Sequence, residues 1–536
     1  MTMPRPVIYN KRRKKRYRVF HAEKIKEEGC LLKHYLGIEL GSTRIKAVAI
    51  DEAFAPVSSG DYTWKSSFEN GVWTYHLEDA WTGLKAAIAG VNDRESISAM
   101  GISGMMHGLL AFDSDWKLIT PFRTWQNTMT AEAAEKLTAA FDFNIPQRWS
   151  VAHLYQAVLK KEPFVPEIAH ITTLAGYIHF MLTGVNAVGV GEASGMFPIN
   201  SGTNNYDEEM LRRFEALTAD QPWKLREVLP KVLVAGQDAG RLTWQGAALL
   251  DGLLPAGIPF APAEGDAGTG MAATNAVAPR TGNVSAGTSI FSMVVLEKPL
   301  KKVYPEIDLV TTPTGRAVAM VHCNNCTSDM NAWVGIFRET AELFGAKVDT
   351  GTLYTKLYEK SLEGDADCGG VTTYNYLAGE GVTHLDEGRP MVVRRPDSAF
   401  TLANFLRSQL YATMATLKIG MDILAEEGVA IDSLTGHGGL FKTPVVGQRY
   451  MAAACGASVT CMETAGEGGP YGMALLAAYM DHREESLEAF LSREVFASTN
   501  SVTLKPEKAD VEGFNRYLAV FKAGLAVEKT AVETIR

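Results

Sequence analysis

The sequence predicts an α/β chain built as two halves that face each other across a cleft. Three observations lead there. Short apolar strands alternate with helical stretches along most of the 536 residues. A turn of glycine and hydroxyl residues between two strand-like runs occurs twice, as Gly41-Ser42-Thr43 and as Gly287-Thr288-Ser289. The composition, 46% hydrophobic and 21% charged, is that of a globular chain long enough for two or three domains.

The elements follow in order. Residues 1–34 hold eleven Lys/Arg against three Glu, a charge of +8, so the overall −9 leaves −17 on residues 35–536. The run Lys11-Arg-Arg-Lys-Lys-Arg16 suits a nucleic-acid or membrane-surface arm, but its bland reading, a solvated disordered extension, is the one adopted for residues 1–34. A true start near Leu31 or Leu32 is a third reading, since the folded pattern begins at Tyr35. Tyr35–Leu40 and Ile45–Ile50 form a hairpin. Glu78 and Asp79 open a helix that runs to about Ala89 and stops at Gly90. Ile97–Ile102 is a strand with the loop Ser103–Gly108 at its end. Residues 130–230 are mostly helical by periodicity. Ile258–Ala263 is a strand leading into Glu264-Gly265-Asp266-Ala267-Gly268. Residues 281–290 hold the second hairpin, and 400–428 an amphipathic helix. Ser433–Gly439 is a strand end with a glycine-rich loop, 444–455 a helix and Val459–Met462 a strand. Gly466–Gly469 leads into a small-residue helix from Tyr471 to about Met480. The expected division is a basic extension (1–34), a first domain (35–283), a second domain (284–490) and a helical tail (491–536).

No apolar run reaches the roughly 18 residues of a membrane span, and no apolar region follows the basic stretch as in a secretory signal; a cytoplasmic protein is expected. Six cysteines do not make a disulfide framework. Cys323-Asn324-Asn325-Cys326 lacks the second pair of a structural zinc site and reads as buried reduced thiols. The acidic body argues against non-specific nucleic-acid binding.

There is no P-loop, and Gly268-Thr-Gly-Met-Ala-Ala273 only approaches a dinucleotide fingerprint. Turns of glycine with Ser or Thr offer backbone N–H groups and hydroxyls to phosphate oxygens. Either such turn alone is an ordinary hairpin turn; the pair, in matching positions of two halves, suggests a nucleotide cleft. Asp266 stands at a strand end beside Gly265 and Gly268, where a ligand can come close. Taken alone it reads as a turn former rather than a base. A lone His is most often structural, but His107, in a loop between Met106 and Gly108, is a poorer candidate for the core than most.

In this order and spacing the motifs resemble the FGGY family of carbohydrate kinases, most closely its xylulokinase branch, over residues 35–485. Gly37-Ile-Glu-Leu-Gly-Ser-Thr-Arg-Ile-Lys46 stands for the family's G-I-D-x-G-T-S-x-x-K, Gly104-Met-Met-His-Gly108 for G-Q-M-H-G, and Trp125-Gln-Asn127 for W-N-D. Ala263-Glu-Gly-Asp-Ala267 stands for the catalytic G-G-G-D-N, and Gly287-Thr-Ser289 for the second phosphate hairpin. Tyr376-Leu-Ala-Gly-Glu380 matches Y-L-S-G-E, and Gly436-His-Gly-Gly439 the adenosine loop.

The resemblance implies two actin-like (ribonuclease H-like) ATPase domains, the first with the sugar site and the second with the nucleotide site, and a reaction using ATP and Mg²⁺. Asp266 would be the general base. Met106, His107, Trp125, Asn127 and Asp266 would hold the sugar. Gly41, Ser42, Thr43, Lys46, Gly287, Thr288, Ser289, Gly436, Gly438 and Gly439 would hold the nucleotide. Glu39 and Asp266 would hold the metal. The expected reaction is phosphorylation of a ketopentose, D-xylulose to D-xylulose 5-phosphate, with L-ribulose or another ketose or polyol as the alternative. Departures fall at Glu39 (family Asp), Asn127 (Asp) and Ala267 (Asn). The Asp266-Ala267 pair and Asp329-Met-Asn-Ala-Trp333 lean toward the ribulokinase branch. Readings of another class are an actin-like ATPase acting on a protein partner and a non-catalytic sugar sensor. The expected partners are sugar and ATP, with neither nucleic acid nor membrane, and a homodimer is compatible with the chain.

Overall fold

The computed structural model describes residues 33–536, so the basic extension lies outside the described residues except for Lys33 and His34, the latter opening the first strand. The first sheet is made of β1 (His34–Leu40), β2 (Arg44–Ile50), β3 (Pro56–Thr63), β4 (Ile97–Gly104) and β5 (Glu264–Gly265), in the spatial order β5-β4-β1-β2-β3. The second is made of β6 (Thr281–Ala286), β7 (Ile290–Val295), β8 (Asp308–Thr311), β9 (Ala317–Cys323), β10 (Ser433–His437), β11 (Ser458–Met462) and β12 (Ser501–Leu504). Its order is β8-β9-β7-β6-β10-β11-β12.

The two sheets share a plan. In the first, β1 pairs antiparallel with β2 and parallel with β4. In the second, β6 pairs antiparallel with β7 and parallel with β10. Outward from these, β5 lies parallel to β4 and β11 parallel to β10, while β3 and β9 lie antiparallel to β2 and β7. The duplication expected from the two glycine–hydroxyl turns is thus present as topology, and both turns join paired strands.

The helices used below are α1 (Leu77–Ala89), α2 (Ala131–Phe141), α3 (Ser150–Leu159), α4 (Leu174–Thr183), α5 (Val190–Ala193), α6 (Asp266–Ala273), α7 (Ser328–Leu343), α8 (Leu402–Glu426), α9 (Val446–Cys455), α10 (Gly468–Tyr479) and α11 (Lys508–Thr534). β1 is buried on both faces, with Leu36, Ile38 and Leu40 fully covered, as expected of a central strand under helices. One cover is α10, although in sequence it follows β11 of the other sheet. A Cβ on Gly472 of α10 would strike the backbone of Thr269 in α6, and one on Gly37 of β1 would strike α10. The small residues of α10 are therefore the condition of its passage between α6 and the first sheet.

Two expected elements change. Ile258–Ala263 is not a strand: only Pro259 and Phe260 form isolated bridges, and the strand proper is the two-residue β5. Pro259 and Pro262 have no N–H to donate to a ladder. The helix at 400–428 is α8, but it is not amphipathic through its first half; every residue from Ala403 to Leu417 is buried. Tyr517 and Phe521 of α11 belong to the same core as Leu406 and Leu410 of α8, and the buried Arg407 donates to Asp510 of α11 at 2.7 Å. No helix among the described residues is long and apolar enough to cross a membrane.

Candidate functional site

A cavity of about 1290 Å³ lies between the two sheets, with walls from both halves. On the first half, Leu40, Gly104 and Gly265 are register partners at the carboxyl ends of the parallel strands β1, β4 and β5. The residues just before or beyond those ends therefore converge, which is where open α/β sheets place their sites. Glu39, Met106, His107 and Asp266 all line the cavity.

Asp266 is the first residue of α6, with Gly265 as its N-cap. Its Oδ1 accepts from Met106 N (3.2 Å) and Ala267 N (3.0 Å), while Oδ2 has no donor among the described residues. Burial pushes its pKa up to about 6; the N–H donors and the nearby Arg148 pull the other way. At neutral pH the carboxylate form prevails, with one oxygen anchored and one free. Glu39 has no hydrogen-bond partner among the described residues. Burial, then the neighbouring Asp266, pushes its pKa up to about 8, and Lys46 opposes them. Glycine at 469 leaves Glu39 its room, since a Cβ there would lie 2.6 Å from Glu39 Oε1.

His107 sits in the left-handed region at φ 76°, followed by Gly108 at φ 79°. That strain aims the ring at Gly195, whose missing side chain leaves space for it. Nδ1 lies 3.3 Å from Gly195 O. A carbonyl only accepts, so Nδ1 carries the hydrogen and Nε2 remains an acceptor. Burial and the Arg148 charge hold the imidazole pKa well below its usual value, so the ring is neutral.

Trp125 donates from Nε1 to Ser42 Oγ at 3.2 Å, tying the wall to the first turn. Asn127 also lines the cavity, but its amide is occupied: Oδ1 accepts from Trp73 N (2.8 Å), and Nδ2 donates to Trp73 O (2.8 Å) and Thr124 O (3.0 Å). Both amide hydrogens are committed, so what Asn127 offers the cavity is mainly shape.

The second half contributes Ser285, Ser289, His322 and His437 to the walls. Gly287, Thr288 and Ser289 form the turn between β6 and β7, and Gly41, Ser42 and Thr43 lie between β1 and β2; of these six, Ser42 and Ser289 line the cavity itself. Gly436, Gly438 and Gly439 flank His437, and a Cβ on Gly438 (φ 96°) would strike Ala286 O. Lys46 does not reach the cavity; its Nζ donates to Glu467 Oε2 at 2.9 Å. Cys323 and Cys326 are buried and free, and burial pushes the Cys326 thiol up to about 12.

Several residues at the site carried no signal in the sequence. Arg148 lies in the turn before α3, its carbonyl accepting from Gly108 N at 2.9 Å. Its guanidinium pairs across the cleft with Asp308 of β8, which Asn144 Nδ2 also contacts at 3.2 Å. Behind Asp266, Glu264 accepts from Gly191 N (3.3 Å) and Glu192 N (2.9 Å), and burial pushes its pKa up to about 8. Glu192 is wholly buried with no partner of hydrogen-bond geometry at either oxygen among the described residues, and burial raises it well above the usual carboxylate range although the Thr173 side chain favours its ionised form.

Residues 34–273 match the N-terminal domain, and residues 282–480 the C-terminal domain, of the FGGY family of carbohydrate kinases. A xylulose kinase of Haemophilus influenzae is 23% identical over 491 residues, covering 85% of this chain and 95% of that protein. Two solved structures from Lactobacillus acidophilus superpose with a TM-score of 0.77: a gluconate kinase (17% identical, 93% of this chain and 99% of that one) and a ligand-bound xylulose kinase (16%, 93% and 100%). The fold is common to both, so it does not choose between their sugars.

Proposed function

The chain belongs to the FGGY family of carbohydrate kinases, and from that premise we propose that this phosphotransferase moves the γ-phosphoryl group of ATP to a hydroxyl of a ketopentose. D-xylulose, giving D-xylulose 5-phosphate, is the first substrate and L-ribulose the second. The observation that carries this reading is Asp266: a carboxylate with one oxygen pinned and one free, at a helix N-terminus in a cleft whose opposite wall bears a glycine–hydroxyl turn.

In the proposed reaction the free Oδ2 of Asp266 accepts the proton of the sugar hydroxyl as that oxygen attacks the γ-phosphorus. The bond from the γ-phosphorus to the bridging oxygen breaks, and ADP leaves. A sugar hydroxyl is a weak nucleophile at neutral pH, and a positioned base is worth about 10²–10⁴ in rate. Neutral His107 accepts a second hydroxyl at Nε2. Arg148, fixed by Asp308, closes the sugar end of the cleft and favours the ionised form of Asp266. The turns at 41–43 and 287–289 receive the phosphates.

The donor set fits a hard divalent cation. Glu39 and Asp266 line one cavity, and Glu39 keeps both oxygens without a partner among the described residues, which suits Mg²⁺ held by Glu39 and water, with Asp266 reached through a water so that its Oδ2 stays open to the proton. Held there, Mg²⁺ supplies charge neutralisation for the phosphates. The one-methylene extension of Glu39 over Asp is accommodated by Gly469.

The test is ADP release with pentuloses, polyols and aldonates. D-xylulose is expected to give the highest kcat/KM. A better polyol or aldonate would overturn the ketopentose assignment. ATP hydrolysis indifferent to every sugar would favour a protein-directed ATPase, and binding of sugar and ATP without turnover a sensor.

A further inference from the structure

Cys323-Asn324-Asn325-Cys326 attracts attention for its cysteines, but its asparagines are the chemically engaged residues. They hold Glu380, a carboxyl 1% exposed on the second half. Glu380 Oε2 accepts from Asn324 N (2.9 Å), Asn325 N (3.3 Å) and Asn325 Nδ2 (3.2 Å). Asn325 Oδ1 also accepts from Leu377 N (2.9 Å) and Ala378 N (3.0 Å), and Asn324 Nδ2 donates to Gly379 O (2.8 Å). The loop carrying Glu380 is thereby sewn to the end of β9, beside the start of β7.

This bracing leaves one atom unexplained. Glu380 Oε1 is buried and has no partner of hydrogen-bond geometry among the described residues, the Val382 N–H near the carboxyl not meeting it squarely, although Glu380 and Asn324 both line the cleft with Ser289. A buried carboxyl oxygen without a donor is costly and uncommon. A rigid carboxyl with one side saturated and the other empty suits a ligand that brings its own hydrogen. ATP phosphate oxygens bring none and would repel the carboxylate. The carboxylates suited to a cation, Glu39 and Asp266, stand on the opposite half. A sugar is a dense array of O–H donors.

We propose that Glu380 is a substrate-reading residue of the second half, its Oε1 accepting a hydrogen bond from a hydroxyl of the acceptor sugar other than the one phosphorylated. The proposal rests on the kinase reading above. The sugar is then gripped from both sides of the cleft, by His107 and Asp266 on the first half and by Glu380 on the second, so sugar binding itself draws the halves together.

The experiment compares wild type, Glu380→Ala and Glu380→Gln on the best sugar and on its monodeoxy analogues, with calorimetry of Mg²⁺–ATP binding and thermal melting. Wild type is expected to lose about ten- to a hundredfold in kcat/KM on one analogue, the worth of a hydrogen bond to a charged group. Glu380→Ala loses a similar factor on the parent sugar and no longer distinguishes that analogue, while Mg²⁺–ATP affinity stays the same. Glu380→Gln fills the same volume and keeps an oxygen for the asparagine N–H groups; it is expected to lose the same discrimination even if the alanine variant fails to fold. Discrimination retained in the glutamine variant overturns the proposal and leaves Glu380 a brace. Weakened Mg²⁺–ATP binding with sugar kinetics intact overturns it in favour of the nucleotide side. If wild type phosphorylates no sugar, the kinase reading falls and takes this proposal with it; if wild type is active and the variants discriminate as it does, only this proposal falls.

Discussion

Two residues before its turn glycine, the first hairpin carries Glu39; two residues before its own, the second carries Ser285. The strands around them pair in the same way. The helices beyond repeat the contrast, since α6 opens on Asp266, whereas α10 opens on Gly468 and Gly469. Both turns are fastened through their carbonyls. Trp64 Nε1 and Tyr75 Oη donate to Gly41 O and Ser42 O at 2.6 Å each. Thr327 Oγ1 donates to Gly287 O at 2.7 Å and Cys326 N to Thr288 O at 3.0 Å. Around the two turns one architecture thus carries two sets of side chains, the carboxyls of Glu39 and Asp266 on one side and hydroxyls with glycines on the other, while Glu306, Asp308 and Glu380 bring carboxyls to the second wall outside its turn. In the proposed reaction a triphosphate against the second turn gains from that difference, because a carboxylate within the turn itself would repel it.

The sharpest way to break the comparison is to disarm the acidic half. Asp266→Asn keeps the shape and the Oδ1 contacts but removes the proton acceptor, so turnover with the best sugar should fall about 10²–10⁴-fold. Mg²⁺–ATP affinity by calorimetry should hardly move, and retention of more than about a tenth of wild-type turnover would exclude Asp266 as the base.

The converse is to arm the other half. Ser285→Asp places a carboxylate at the position equivalent to Glu39 in the second hairpin, and ATP binding should weaken by about ten- to a hundredfold through like-charge repulsion in a partly desolvated site. Unchanged ATP affinity would show that the second turn is not where phosphates lie.

A smaller perturbation leaves both halves chemically intact. Gly469→Ala pushes a methyl toward Glu39 Oε1. The Mg²⁺ concentration needed for half-maximal rate should rise, with turnover down about tenfold from the misplacement and sugar KM unchanged. An unaltered Mg²⁺ titration would remove Glu39 from the metal.

The smallest effect concerns Glu192 behind the site. Its folded pKa lies above the ordinary 4.5, mainly through burial, with Glu264 and Asp266 adding to it and Thr173 opposing. Such an acid supports the fold fully below its unfolded pKa and progressively less as pH rises through the window above it. Glu192→Gln removes that dependence, so the melting temperature of the variant should gain on wild type as pH is raised from about 5 to 8. A constant difference across that range would mean that Glu192 titrates normally.

Much of this asymmetry was legible in the sequence because turns are local. Gly41-Ser42-Thr43, Gly287-Thr288-Ser289 and Asp266 after an apolar run each announce a backbone geometry within a few residues. The resemblance then ordered them along the chain. Arg148 and Asp308 act by meeting something distant, and nothing beside them in sequence shows it; Glu380 closes a motif the resemblance does find, but its tie to Asn324 and Asn325 appears only in the tertiary structure. Asn127 shows the opposite failure. Its residue type suits a sugar, but its hydrogens are spent on Trp73 and Thr124, which only the tertiary structure reveals. The apolar run Ile258–Ala263 had the hydropathy of a strand and, at its two prolines, not the hydrogen-bonding groups. The buried first half of α8 keeps polar residues such as Gln409 and Arg407 because partners reach them inside, so its pattern looked amphipathic.

The passage of α10 between α6 and the first sheet sets a timetable for synthesis. When α6 leaves the ribosome, every strand of the first sheet has been made, yet the face of β1 at Gly37 has no cover until α10 emerges about two hundred residues later. At 5–20 residues per second that is an exposure of roughly 10–40 s. The first half is complete in sequence long before it is complete in structure, and during that interval a nascent chain with a bare central strand is a natural client for a chaperone.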